Sequence, residues 1–254
     1  MFHKSALVAA LLLALCPLAQ AENAPAAAAP AAQAANTAPQ DSEDQISTYF
    51  RNPAPERALK LLLRMADKPI FQNKASARFN MMAWGAQVLR DNPQETMKWC
   101  DALQAKIDAA DLLILYRFAA TPDSEKCIEK INPPQDLRKQ TEKLSLEEFT
   151  SLTFPDAVSL DVLWVSFYAT GKAEYVKKIV DFVIASKDSK DPLTTGAAKW
   201  SLGSNMRQYP EIKTIVEDYL KTLPAEKQAV FTQQMAGFQN KHLRFFIIPP
   251  RCNP

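Results

Sequence analysis

Residues 156–170 constrain the fold most, because they are apolar almost all round when they are placed on a helix. A helix that lacks a polar face is normally buried by neighbours on several sides. Gly171 follows directly, and glycine adopts the left-handed conformation at a helix end without a Cβ penalty. The sequence therefore predicts a buried helix over residues 156–170, around which the rest of the chain packs.

The same alternation of helix and short turn continues towards the C-terminus. A second helix is predicted by apolar residues at the helical spacing, which are Val176, Ile179, Val180, Val183 and Ile184. Further helices are predicted over residues 197–209, 212–223 and 224–240. We therefore expect an all-α protein in which helical hairpins form a right-handed stack, as in an α-solenoid.

Helical patterns also fill the N-terminal half, where folded sequence is expected from about residue 41. Helices are predicted over residues 76–90, 109–120 and 122–131. Asn132-Pro133-Pro134 then interrupts the pattern. We therefore expect an N-terminal lobe over residues 41–131, a connector with short helices over 132–154, and a C-terminal lobe over 155–240.

Two tryptophans have similar surroundings in the two halves. Trp84 precedes Arg90-Asp91-Asn92-Pro93, and Trp200 precedes Arg207-Gln208-Tyr209-Pro210. Each proline starts a predicted helix, although this arrangement also recurs in α-helical bundles without repeats. In its paired helices, the segment 53–223 resembles the tetratricopeptide-type superhelices. The Gly and Ala positions of that family fit no window of its ~34-residue repeat here, so the resemblance covers architecture only and implies no functional residue.

The first 21 residues have the three parts of a secretory signal peptide. Lys4 supplies the positive charge, residues 6–15 the apolar region, and Ala19-Gln20-Ala21 the cleavage site. Cleavage after Ala21 predicts a periplasmic or secreted protein. A lipoprotein anchored through Cys16 is the alternative, but Leu15 disfavours it because the residue before a lipidated cysteine is usually small.

Composition limits the classes of partner and cofactor. Residues 22–40 contain no large apolar side chain and predict a disordered spacer, and no later segment is apolar for long enough to predict a membrane span. The net charge of +2 argues against nucleic acid as the main partner. The five glycines are too far apart for a phosphate-binding loop, and we expect no cofactor.

The inventory of catalytic and metal-binding residues is poor. After the predicted cleavage His242 is the one histidine, and it lies between Lys241 and Arg244 near the end of the last predicted helix. A cation at a helix C-terminus is favoured by the helix dipole. We prefer this interpretation of His242 to a catalytic role. The cysteines lack metal-ligand spacing, so we assign no metal site and no catalytic residue.

Carboxylates support an alternative class of function. Glu147-Glu148 and the pair Asp156 and Asp161 could serve a hydrolase or a small-ligand site between the two lobes. Asp161 is a charge within an otherwise apolar helix. If Ser159 is the N-cap, Asp161 is a first-turn acid; if the helix starts at Asp156, it needs a partner. We favour the first alternative.

The tryptophans are interpreted as core residues rather than as a ligand groove. Aromatic residues at helical spacing are more often buried than ligand-binding. We therefore assign Trp84, Trp164 and Trp200 to the core, and leave Trp99 open because its predicted helix has a mixed face.

A disulfide between Cys100 and Cys127 is predicted, since both cysteines lie on apolar helix faces and export allows oxidation. Such a bond would close a loop of about 27 residues. The alternative is two buried thiols that do not meet. The pairing leaves Cys252 unpaired within the chain and available for an intermolecular bond.

The C-terminal tail, residues 241–254, is predicted to be extended because Pro249-Pro250 cannot continue a helix. It carries four consecutive large apolar residues, Phe245, Phe246, Ile247 and Ile248. We expect this run to pack on the C-terminal lobe, and the alternative is that it docks on a partner.

Taken together, the patterns predict an exported helical-repeat protein that binds a protein or peptide of the cell envelope and has no catalytic activity. The prediction is based on architecture, because stacked helical pairs form extended binding surfaces. The alternative is the carboxylate-based hydrolase or small-ligand binder described above.

Overall fold

The computed structural model describes residues 45–151, 156–188 and 191–243. Within these ranges the chain is helical and has no strand, which confirms the all-α prediction. Several predicted features lie outside the described residues. They are the signal peptide, the spacer over residues 22–40, Phe245, Phe246, Ile247, Ile248 and Cys252.

The N-terminal half begins with a 3₁₀ helix, Ile46–Arg51, and continues in α-helices. These are α1 (Pro55–Ala66), α2 (Pro69–Asn73), α3 (Ala75–Asp91), α4 (Thr96–Leu103), α5 (Ala109–Ala119), α6 (Ser124–Ile131), α7 (Gln135–Gln140) and α8 (Leu146–Thr150). The last two are short helices within the segment predicted as a connector. Ala120 takes a left-handed conformation and ends α5 one residue before the predicted position.

The C-terminal half consists of longer helices. These are α9 (Ala157–Thr170), α10 (Ala173–Ala185), α11 (Pro192–Gln208), α12 (Pro210–Thr222) and α13 (Ala225–Leu243), with a 3₁₀ turn, Ser186–Asp188, after α10. Gly171 ends α9 with a φ of 67°, as predicted from its lack of a Cβ. α11 begins five residues before the predicted residue 197, because the Asp191 side chain accepts hydrogen bonds from the amides of Leu193 and Thr194.

α9 is buried on two sides because it contributes to two hydrophobic cores. The N-terminal core contains the buried apolar residues from Tyr49 to Phe149 and takes Val162 and Ala169 from one face of α9. The C-terminal core extends to Met235 and takes residues from the opposite face, namely Leu160, Leu163, Trp164 and Phe167. This two-sided packing confirms the buried helix that the apolar sequence predicts.

Three consecutive residues of the N-terminal 3₁₀ helix contact both halves. The Tyr49 ring packs edge-on against Trp84 in the N-terminal core, with ring centroids 5.1 Å apart. The Phe50 ring lies 4.8 Å from Phe167 in the C-terminal core. Arg51 then forms an ion pair with Glu211 of α12, with 2.8 Å between Nε and Oε1. The segment therefore fastens the two cores to each other at the start of the fold.

A disulfide between Cys100 and Cys127 joins α4 to α6, as predicted. Their Cα atoms are 5.9 Å apart, and both side chains are fully buried in the N-terminal core. The bond therefore crosslinks the two helices within that core.

The preferred start of α9 at Ser159 is wrong. Asp156 is the N-cap, and its carboxylate accepts a hydrogen bond of 2.6 Å from the amide of Ser159. Asp161 therefore lies in the second turn, where it accepts a hydrogen bond of 3.2 Å from the Asn80 side chain of α3. The partner that this alternative requires is thus a neutral amide on the neighbouring helix.

None of the helices in the described ranges combines the length and the apolar character that a membrane span requires.

Candidate interaction site

Two large apolar side chains project from α11 into solvent. Trp200 is 53% exposed and Leu193 is 84% exposed. The assignment of Trp200 to the core is therefore wrong. The other three tryptophans are buried, which confirms the assignments of Trp84 and Trp164 and gives Trp99 a place in the N-terminal core.

The opposite side of α11 packs against the rest of the C-terminal half. Its buried residues include Thr194, Ala198 and Leu202, which are four residues apart and form one stripe along the helix. Their small or medium size lets α11 lie close to α9 and α10. The burial of this stripe forces Leu193 and Trp200, which lie far from it around the helix axis, to face outwards.

Polar contacts fix the rotation of α11 about its axis. The indole Nε1 of Trp164 donates a hydrogen bond of 3.0 Å to Ser201 Oγ, and the hydroxyl of Tyr168 donates to the side chain of Asn205. On the other side, Lys199 donates to the Gln234 side chain of α13. Since both flanks are tied, Trp200 cannot turn into the core without breaking these contacts.

Gly196 lies between Leu193 and Trp200 on this surface. The three residues are separated by three and four positions, so they lie close together on one side of the helix and span about 10 Å along its axis. A Cβ added to Gly196 meets no atom within 4 Å. We call Leu193, Gly196 and Trp200 the α11 face: two apolar side chains that flank a notch.

Of the four carboxylates of the alternative hypothesis, Glu147, Asp156 and Asp161 make structural contacts, and Glu148 is exposed. Glu147 pairs with Arg90, which lowers the pKa of Glu147, and the backbone carbonyl of Phe118 accepts a hydrogen bond from the same Arg90. Asp156 caps α9. Desolvation raises the pKa of Asp161, and the hydrogen bond from Asn80 opposes the shift.

Two further groups of buried polar residues hold helices together. Arg78 of α3 and Asp111 of α5 form an ion pair, with 2.8 Å between Nε and Oδ2. Burial and then the neighbouring Asp108 raise the pKa of Asp111 to about 7, although Arg78 lowers it. Gln87 donates to Ser166 and Tyr175, which links α3 with α9 and α10. These groups explain packing rather than chemistry, because their partners are other buried residues.

Among the described residues, no group of three or more His, Cys, Asp or Glu side chains is arranged to hold a metal ion. His242 lies in the last turn of α13, at the predicted place in the helix. Its side chain lies outside the described residues.

Comparison with protein-family models, with curated proteins and with solved structures finds no significant match to this chain.

Sequence reasoning missed the α11 face because it placed the start of the helix too late. With a start at residue 197, Leu193 and Gly196 fall in a loop and Trp200 is an isolated aromatic residue. The signal that could have found the face is Asp191-Pro192, since an N-cap residue followed by proline at the first helical position starts a helix there.

Proposed function

We propose that this chain is an exported helical protein that binds another protein or peptide of the cell envelope through the α11 face. The proposal includes removal of residues 1–21 and a periplasmic or secreted location. It also includes the finer architecture that the sequence predicts, a right-handed, tetratricopeptide-like stack of helical hairpins in two lobes.

One observation carries the proposal: Leu193 and Trp200 are exposed on the same side of a helix whose opposite side is buried in the C-terminal core. Single exposed apolar residues are common on protein surfaces, whereas neighbouring large ones favour an interaction site. Tryptophan in particular is enriched among the residues that dominate binding energies.

The notch at Gly196 supports a specific chemistry for the partner. An apolar side chain of the partner can enter between Leu193 and Trp200, because no protein atom occupies the position of the missing Cβ. A helix or an extended segment with one leucine or phenylalanine at its centre fits this description. Burial of one such side chain stabilises a complex by about 1.5–3 kcal/mol.

The hydrolase or small-ligand hypothesis stays a prediction. It is less well supported, because Glu147, Asp156 and Asp161 each have a structural partner in Arg90, the amide of Ser159 and Asn80.

Photo-crosslinking in intact cells tests the proposal. A photoreactive amino acid in place of Leu193 should give a discrete adduct with a second envelope protein, because this side chain is the most exposed part of the face. The matched control is the same substitution at Lys60, an exposed residue of α1 on the N-terminal half. Both variants are made in the full chain and in a chain without residues 244–254.

An adduct at position 193 and none at position 60 supports the proposal. The same set of adducts at both positions, or no adduct at position 193 in either chain, contradicts it.

A further inference from the structure

The α11 face continues beyond Trp200 into a stripe that ends in a cation. Leu193, Trp200 and Arg207 follow one another at intervals of seven residues, which is close to two helical turns, so they lie within about 20° of one line along the helix. All three side chains are exposed. The stripe therefore spans about 21 Å along the axis, and it is apolar at its start and positively charged at its end.

The guanidinium of Arg207 folds back along α11 towards Trp200. Its Nη1 is 3.5 Å from the position that a Cβ on Gly203 would occupy, one turn before Arg207. The Cε of Met235 in α13 is also 3.5 Å from that position. The charge therefore lies beside the contact between α11 and α13, and not at the C-terminal carbonyl groups of α11, where the helix dipole would favour it.

No carboxylate among the described residues forms an ion pair with Arg207. The carboxylate nearest to it in the sequence, Glu211, is already bound by Arg51. The Nε of Arg51 donates to Oε1 of Glu211 at 2.8 Å, and Nη2 donates to Oε2 at 3.2 Å. A guanidinium that is held on an exposed helix surface can form the same paired hydrogen bonds with a carboxylate of another molecule.

The distance between the notch and this guanidinium determines the spacing that a partner needs. Gly196 and Gly203 are seven residues apart, which corresponds to about 10 Å along the axis. Two side chains of a partner match this distance when they are about seven residues apart in a helix or about three residues apart in an extended segment.

We propose that the α11 face recognises a peptide segment of its partner that carries one large apolar side chain and, about 10 Å away, a carboxylate that binds Arg207. This inference rests on the proposed function, because it specifies the partner chemistry of the same face. The apolar side chain occupies the notch between Leu193 and Trp200 and contributes most of the binding energy. The carboxylate fixes the direction in which the segment lies on the stripe.

Selection from a peptide library on the purified full chain tests the inference. Random peptides of about 16 residues are displayed on phage, because a helix of this length spans the stripe. The unsubstituted chain should enrich Asp or Glu at one fixed spacing from a large apolar residue. Arg207→Glu should enrich Lys or Arg at the same spacing and keep the apolar residue. The matched control is Lys213→Glu, a charge reversal at an exposed residue of α12, which should select the same peptides as the unsubstituted chain.

The affinity of one selected peptide, made synthetically, gives the size of the effect. Arg207→Gln should raise its dissociation constant about twofold to fivefold, as expected for an exposed ion pair. Replacement of the peptide carboxylate by an amide should then cause no further loss in this variant, because the two groups act as a pair. Trp200→Ala should raise the dissociation constant at least about tenfold.

Acidic residues that are not enriched, or that Arg207→Glu selects equally, overturn the inference. Self-association of the unsubstituted chain that Arg207→Glu abolishes also overturns it, because the occupant of the face is then a second copy. Failure of the two proposals can be told apart. Peptides that need Trp200 but not Arg207 remove the carboxylate and keep the binding face, whereas peptides that bind Trp200→Ala as well as the unsubstituted chain contradict both proposals.

Discussion

Both cores consist of buried apolar side chains, yet the helices that enclose them are held together differently. In the N-terminal core the Cys100–Cys127 disulfide crosslinks α4 to α6, and the helix at its centre, α3, buries residues around most of its circumference. The described part of the C-terminal core has no disulfide, and α11 there leaves one whole face outside. Under the proposed function, the crosslinked N-terminal half supports the half that presents the α11 face to a partner.

The largest effect is expected from loss of the crosslink. The double variant Cys100→Ala/Cys127→Ala should lower the free energy of unfolding by about 3–4 kcal/mol, because a closed loop of ~27 residues restricts the unfolded chain. Chemical denaturation of the oxidised protein provides the measurement. Cys252→Ser is the control and should leave the midpoint unchanged. A double variant that unfolds at the same midpoint as the unsubstituted chain would contradict the prediction.

Two glycines probe the difference in packing between the cores. A Cβ on Gly85 would lie 3.0 Å from Leu62 Cδ1 and 3.1 Å from Leu115 Cδ1, whereas one on Gly196 meets nothing. Overpacking at Gly85→Ala should cost about 1–3 kcal/mol and outweigh the gain in helix propensity of about 0.5–1 kcal/mol, so this variant should be destabilised. Gly196→Ala should stabilise it by about 0.5–1 kcal/mol, because alanine favours the helix.

Thermal unfolding of both glycine variants at one pH makes this comparison. A shift of the same sign and size at the two positions would mean that the two helices are packed alike.

The buried Asp111 predicts a pH dependence that originates in the N-terminal core. Because burial raises its pKa from 3.8 to about 7, the folded state binds more protons than the unfolded state between these values. Stability from this group is fully present below about pH 4 and is lost as the pH rises towards 7, by at most about 1.4 kcal/mol per pH unit. Asp111→Asn should flatten the profile over this range, and an unchanged slope in that variant would assign the dependence to other groups.

The smallest effect is expected where the 3₁₀ helix joins the halves. Arg51 and Glu211 form a partly exposed ion pair, so a double-mutant cycle with alanine should give a coupling energy of about 0.2–1 kcal/mol. The coupling should fall in high salt because of screening. A coupling that salt does not change would mean that Arg51 acts through its contacts with the rings of Phe50 and Tyr209 instead.

The sequence predicts the central helix from a local apolar pattern, and it predicts the disulfide from the helix faces on which the two cysteines lie. α9 is apolar on all sides, and the two cysteines lie on the apolar faces of neighbouring helices. It does not predict the orientation of Trp200, because burial depends on which side of α11 meets α9 and α10. The start of α9 is equally ambiguous in the sequence, since Asp156 and Ser159 are both good N-cap residues, and the structure has Asp156 in that position.

The most direct test of the account measures how three variants of the α11 face bind the protein that crosslinks at position 193. Trp200→Ala should raise the dissociation constant about tenfold to thirtyfold, as expected for a tryptophan that dominates the binding energy of an interface. Gly196→Arg should weaken binding to a similar extent because it fills the notch, while Gly196→Ala adds a single methyl group there and should remain closer to the unsubstituted chain. Equal dissociation constants for all three variants and the unsubstituted chain would contradict the central claim that this face binds the partner.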